Sequence, residues 1–338
     1  MLGMEVETID YYSPTIERPY NNRVCVQHRS SLLHILKRTV YVILNFRNTV
    51  ISQRKYKEFR ENYLNISKEK YDADTISNAS YDVYIAGSDQ IWNKEIIGRE
   101  DIPAYTLAFT GEHTAAYGAS CGSEAYLIDE VDRISKIQMI TVREQQLCNA
   151  LKKRGIASKV VCDPVFLLSR DKWKKIIKNM PPIRHKYVLL YYIDEGKEQA
   201  AMIAKTIAAS IKAKVHYPRK YDKSALINHY GINKFSDGPL DFLNETDQAE
   251  YIVSASFHGV AFAILMEKEF TVLLHKKTGE RVKNLLVCLG LEERIVRDQK
   301  DFQEKSRYWK PIDYNKVKIK LSEYREKSMA CLREMCEL

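Results

Sequence analysis

One residue of this chain placed to move a proton is a histidine set between a short β-branched run and a longer apolar one. Residues 251–266 read Tyr-Ile-Val-Ser-Ala-Ser-Phe-His-Gly-Val-Ala-Phe-Ala-Ile-Leu-Met. The opening run predicts a buried strand, the Ser-His-Gly segment a turn, and the apolar close a helix. A strand feeding a helix start places free backbone N–H groups and a positive dipole end at the strand's carboxyl edge, which suits an anion. His258 sits in that turn, where an imidazole can act as general acid or base. Taken alone, one histidine beside an apolar helix is more often a packed structural residue. A second chemical stretch, 81–93, reads Tyr-Asp-Val-Tyr-Ile-Ala-Gly-Ser-Asp-Gln-Ile-Trp-Asn. It predicts a strand over 83–86 that ends in Gly87, Ser88 and Asp89. Gly87 permits close backbone approach to a ligand, and Ser88 or Asp89 can cap the next helix or turn. Capping does not explain Asp89, Gln90, Trp92 and Asn93 together, because a polar cluster around a tryptophan is costly to bury without a use.

These residues need elements to hold them. Small-residue or charged endings recur after the strand patterns at 114–122 (containing Tyr117, Ser120 and Gly122), 140–144 (ending in Arg143-Glu144) and 160–168 (containing Asp163-Pro164). Four such strands, some separated by helical spacers, are the rhythm of a doubly wound parallel sheet. Pro181-Pro182 marks a boundary, after which 187–192, 214–217, 251–253 and 270–274 predict a second set of strands. Helices are expected over 30–62, 198–212, 281–289 and 312–338. The first of these is basic and has an apolar face. It suits packing on its own domain, or docking to anionic lipid headgroups. The chain therefore divides into an N-terminal Rossmann-like domain (1–178), a C-terminal Rossmann-like domain that carries the anion-binding turn (179–305) and a helical tail (306–338).

Composition bounds the function. The chain has 338 residues, 45% hydrophobic and 29% charged, which is globular usage with room for two cores. A net charge of +9 suits anionic substrates, a bilayer surface or nucleic acid, and does not choose among them. The seven cysteines (25, 121, 148, 162, 288, 331 and 336) show no metal-ligand spacing, so no zinc site is expected. Reduced thiols, the lack of a signal pattern and the lack of an apolar run of spanning length predict a cytoplasmic protein. There is no GxxxxGK[ST], GxGxxG or GxSxG sequence, which disfavours P-loop, ordinary dinucleotide and nucleophile-elbow enzymes. Two α/β domains predict a cleft. Gly87 to Asn93, the glycine-rich 118–122 segment and Arg143 would form one lip; Ser254, Ser256, Phe257, His258, Gly259 and Arg281 would form the other.

The Gly-Ser-Asp-Gln-x-Trp-Asn core of 87–93, Tyr-Gly-Ala-Ser-x-Gly at 117–122, Val142-Arg143-Glu144, Asp163-Pro164 and Ser256-Phe257-His258-Gly259, in this order and spacing, resemble the polysaccharide pyruvyl transferase family from the N-terminus to about Arg294. The resemblance implies an α/β, GT-B-like fold of two Rossmann-type doubly wound domains facing a cleft. It implies transfer of pyruvate from phosphoenolpyruvate to a sugar of a cell-surface polysaccharide or its lipid-linked oligosaccharide precursor, giving a ketal. It implies no cofactor beyond that co-substrate, no metal, and no nucleic acid as partner. Peripheral association with the inner face of a membrane would follow from a lipid-linked acceptor. Under this resemblance His258 is the acid, and Asp89 accepts the hydroxyl proton or positions the sugar. Arg143 and the N–H groups near Gly259 hold the donor anion, with Arg281 as a further cation. Trp92 would stack on a sugar face or pack in the core.

Two departures from the family pattern carry expectations. Members with an Arg-Leu-His version of the last motif place arginine where this chain has Ser256, so another cation must hold the donor here. The family pattern also begins with a strand, a Gly/Asn loop and a helix that precede the residues at 3–8 of this chain. On that ground the sequence is expected to be an incomplete reading or a decayed copy, with low stability and weak activity. Two other functions fit the same fold: a glycosyltransferase using a nucleotide-sugar donor, and a non-catalytic glycan-binding protein.

Overall fold

The computed structural model describes residues 3–17, 32–87, 89–192, 197–217, 231–233, 236–274 and 279–337, without the side chains of 17, 32–45, 197 and 233. Twelve strands are present among them: β1 Thr8–Tyr11, β2 Ile66–Tyr71, β3 Val83–Gly87, β4 His113–Ala119, β5 Met139–Val142, β6 Lys159–Val160, β7 Tyr187–Tyr191, β8 Lys214–Tyr217, β9 Ile232–Asn233, β10 Tyr251–Ser254, β11 Phe270–Leu273 and β12 Ile295–Val296. They form two larger sheets, ordered β3-β4-β5-β6 and β12-β11-β10-β7-β8-β9, and a separate pair β1-β2. Every pairing is parallel.

The second sheet has the doubly wound Rossmann order. Counted from β7, its strands lie 3-2-1-4-5-6, and the winding reverses between β7 and β10. Ligands of open α/β sheets bind outside the carboxyl ends at such a reversal. Tyr191 and Ser254 end those two strands, and Ser254 Oγ donates to the Tyr191 carbonyl at 2.9 Å. Both faces of the sheet are covered. Phe262, Ile264 and Leu286 are buried with Ile252 and Phe270 on one face, and Ile203, Ala204 and Ile207 are buried with Val188 and Leu190 on the other. Strands covered on both sides must be apolar without alternation, as Tyr187–Tyr191 is.

The first sheet is a four-stranded half of that plan. Alanine-rich β4 lies in its centre, with Ala115, Ala116 and Ala119 wholly buried. The N-terminal strand β1 pairs with β2 and not with β3. Among the described residues β3 is an edge strand, and its Ile85 is 44% exposed. The core beneath this sheet is organised around Trp92, which is wholly buried with Ile128, Ile134, Ile140 and Leu147.

Two helices tie the units together. Tyr314–Cys336 begins against Leu285 and Leu289 of the second unit, through Val317 and Leu321. It ends on the first, where Cys331 and Met335 pack on Ala115, Tyr117 and Val161. Ser328 Oγ accepts from the Cys162 N–H, and the Tyr324 hydroxyl donates to the Val161 carbonyl, both at 2.9 Å. The long helix Leu32–Tyr63 runs from the N-terminal region to the second unit. Its Lys55 pairs with Asp241 at 2.9 Å, and Ser52 Oγ donates to the Asp237 carbonyl. The part of its expected apolar face over 32–44 lies outside the described side chains. No helix among the described residues is long and apolar enough to cross a membrane. The six described cysteines are free thiols, and Cys25 lies outside the described residues. Replacing Trp92 with alanine is expected to destabilise the first unit by about 3–5 kcal/mol, read as a lower urea midpoint in equilibrium unfolding.

Candidate active site

Both lobes send charged side chains to the seam between the two larger sheets, and each departs from the carboxyl end of a parallel strand. Asp89 follows β3, Arg143 and Glu144 follow β5, and Asp163 follows β6. His258 lies in the first turn of the helix Phe257–Leu265, after β10, and Arg281 in the helix Gly279–Leu289, after β11. Parallel strands put all these ends on the same side of each sheet, so residues far apart in sequence meet.

Arg143 is the centre of the cluster. Its side chain is 3% exposed, and its guanidinium pairs with Asp163 through one terminal nitrogen and with Asp89, at 2.5 Å, through the other. Burial works against the guanidinium's charge, but Asp163, Asp89 and Glu144 outweigh it and raise its pKa. Arg281 reaches the same Asp89 oxygen, Oδ1, at 2.5 Å from the other lobe. The Phe257 ring lies beside both guanidiniums, with its centroid 5.4 Å from that of Arg143 and 5.7 Å from that of Arg281. Next to it, His258 Nε2 is 3.7 Å from Asp163 Oδ2.

The electrostatics give each group a state. Burial lowers the His258 pKa; Asp163 and Asp89 oppose the shift, and the two arginines add to it. The imidazole of the free protein is therefore neutral at neutral pH. Burial alone would raise the Asp89 carboxyl, but Arg143 and Arg281 hold it below the usual range. Burial raises Glu144, against the pull of Arg143 and a 2.5 Å hydrogen bond from Ser120 Oγ.

Of the sequence-predicted residues, the structure brings Asp89, Arg143, Phe257, His258 and Arg281 into one cluster. Ser256 and Gly259 frame it. Ser256 precedes the helix, and its side chain makes no capping bond to the first N–H groups. A Cβ at Gly259 would lie 2.4 Å from Ser254 Oγ and 2.8 Å from the Tyr191 ring, so only glycine lets the helix sit over the strand ends.

Other expectations are corrected. Trp92 offers no face to a sugar, because its ring is fully buried and Nε1 donates to the Tyr105 carbonyl at 3.0 Å. Tyr117 is core, with its hydroxyl donating to the Cys162 carbonyl. Gly87 is needed for a neighbouring strand, since a Cβ there would stand 2.6 Å from the Tyr117 carbonyl oxygen. Gln90, Asn93 and Gly122 build the turn: Asn93 Nδ2 donates to Gln90 Oε1 at 2.7 Å, and Gly122 packs over that oxygen. Ser120 positions Glu144 and does not face the seam. Ser88 lies outside the described residues. Asp163 and Glu144 join the cluster, although the sequence gives them no role beyond strand endings and motif positions. Their signal is an acid at a parallel strand's carboxyl end beside Arg143. No group of metal-binding side chains occurs among the described residues.

Comparison with known proteins agrees with this architecture. UDP-GlcNAc 2-epimerase of Methanocaldococcus jannaschii superposes with a TM-score of 0.52 at 15% identity, covering 78% of this chain and 86% of that one. The enzyme of the same name from Neisseria meningitidis gives 0.52 at 13% identity, covering 98% and 100%. At such identities the likeness concerns the fold alone, a GT-B-type pair of Rossmann-like units. No curated protein matches the sequence. The family model for polysaccharide pyruvyl transferase matches residues 11–277, which take in both larger sheets except β12 and every member of the charged cluster but Arg281. The chain belongs to the polysaccharide pyruvyl transferase family.

Proposed function

We propose that this protein transfers pyruvate from phosphoenolpyruvate to a pair of hydroxyls on a sugar, forming a cyclic ketal on a polysaccharide or its lipid-linked precursor. The observation that carries this reading is the meeting of a titratable imidazole with two guanidiniums and the Asp89 carboxylate at the seam of the lobes. The reaction needs those groups. One sugar hydroxyl adds to C2 of the enol while C3 takes up a proton, and the second hydroxyl then displaces phosphate from C2. His258 supplies the proton to C3, and Asp89 takes one from the attacking hydroxyl. Arg143, Arg281 and the first N–H groups of Phe257–Leu265 hold the donor's anionic groups. Asp163, close to both Arg143 and His258, keeps the two in register.

A docking role for the helix Leu32–Tyr63 fits a lipid-linked acceptor. Phe46 and Val50 are 64% and 45% exposed beside Arg47, Arg54 and Lys57. Sedimentation with anionic but not neutral vesicles is the expected result, and loss of the difference on Phe46→Asp would locate the contact.

Two measurements test the chemistry. Incubation with phosphoenolpyruvate and a sugar acceptor should release phosphate, and His258→Ala should slow that release by about 10²–10⁴-fold. Release of nucleotide from a sugar donor, in place of phosphate, would point to glycosyl transfer. The pH profile depends on the sign of the histidine shift. The acid form is needed, and its pKa in the free protein lies below the ordinary value of about 6.5. kcat/KM should therefore fall as pH rises through a midpoint below that value. A bound donor anion favours the imidazolium, so the midpoint for kcat should lie higher. A flat kcat/KM profile from pH 5 to 8 would remove His258 from the role.

A further inference from the structure

The carboxylate at the seam belongs to the protein, and it stands where an anionic ligand would be held. Asp89 Oδ1 accepts from Arg143 and from Arg281 at 2.5 Å each, so one oxygen bridges guanidiniums from opposite lobes. The arginine side chains are 3% and 9% exposed, whereas Asp89 is 37% exposed and sits on the turn after β3. The Nε atoms of both arginines, and Glu144 Oε2, are buried without a hydrogen-bond partner. The same three residues line a cavity of about 230 Å³ with Phe257, Asp163, Asn284 and Tyr324. Both buried cations thus retain unused donor capacity beside a space large enough for a small molecule. Charge balance points the same way. Arg143 and Arg281 face three acids, Asp89, Asp163 and Glu144. With Asp89 in place, a further anion would meet a cluster that is already neutralised.

We propose that Arg143 and Arg281 form the seat of the donor's carboxylate, and that Asp89 fills this seat as an internal stand-in until the donor displaces it. The proposal rests on the reading of the seam as a donor site and adds an order to it. A carboxylate takes the two guanidiniums from Asp89 without a net change in the number of charge-assisted hydrogen bonds. The displaced Asp89 is then free to accept a proton from the sugar hydroxyl. Donor binding therefore creates the base, and the acceptor is activated only once the donor is seated. Arg281 becomes the cation that the lower lobe contributes in a chain that has serine at position 256.

Pyruvate, which carries the carboxylate without the phosphate, is the probe, titrated calorimetrically into the full-length protein. Removing an internal competitor raises apparent affinity by the inverse of the fraction of unoccupied seats, so Asp89→Asn should bind pyruvate about tenfold tighter than the native chain. Arg281→Gln should lose that binding, and so should the double variant. Equal or weaker binding by Asp89→Asn would overturn the proposal, because it would make Asp89 a support for the arginines and not their occupant. Absence of pyruvate binding in every variant would overturn it as well. A measurement on the native chain gives the same decision if the variant does not fold: saturating pyruvate should speed amide exchange over 89–93, and slowed or unchanged exchange refutes displacement. Phosphate release from phosphoenolpyruvate is assayed separately. Normal transfer by the native chain with untightened pyruvate binding by Asp89→Asn removes only this inference, while tightened binding by the variant with no transfer by the native chain removes only the reaction.

Discussion

A guanidinium taken out of water must be met by carboxylates, and much of this structure is shaped by how Arg143 is met. An unpaired buried charge is prohibitively costly, and removing one partner of such a pair is worse than never having built it. Asp163 is the buried partner, at the end of the neighbouring strand, and it is fixed by the Val165 N–H at 3.0 Å. Asp89 is the exposed partner, on a turn shaped by Gln90 and Asn93. The difference in burial separates their roles. Asp163 meets the arginine inside the fold, while Asp89 meets it at the surface of the seam.

The seam depends equally on devices that keep the lobes in register. The helix Tyr314–Cys336 starts on the second lobe and finishes on the first, so a shift of one lobe would drag Met335 out of its contact with Tyr117 and Val161. Phe257 contributes at closer range. It belongs to the second lobe but lies against guanidiniums from both, and its ring shields the charged cluster from one side. Asn284 and Gln146 add a 3.1 Å hydrogen bond across the same boundary. Positioning groups to within tenths of an ångström needs such support, because a loosely held charge loses most of its effect.

Most strands were legible in the sequence. The β-branched runs at 83–86, 140–142, 187–191, 251–253 and 270–273 all form strands, because segments covered on both faces have nothing to do but be apolar. The helix beginning at Phe257 starts one turn earlier than the apolar pattern suggests. Phe and His do not advertise a helix, and Ser256 can begin one without a side-chain cap. The short strands β9 and β12, of two residues each, leave no periodicity to read.

The site divides along a similar line. Sequence alone placed a histidine in a strand-turn-helix junction and an arginine at a strand end, and small-residue turns at the carboxyl ends of parallel strands all point one way. It could not determine that Trp92, Tyr117 and Asn93 serve the core. Burial is set by what packs against a residue from distant parts of the chain, here Tyr105, Met335 and Leu127. Nor could it reveal that Asp89 is shared by Arg143 and Arg281, which are 54 and 192 residues away. Charge pairing over that separation exists only once two sheets are closed on each other, so the tertiary structure alone decided which acids meet which cations.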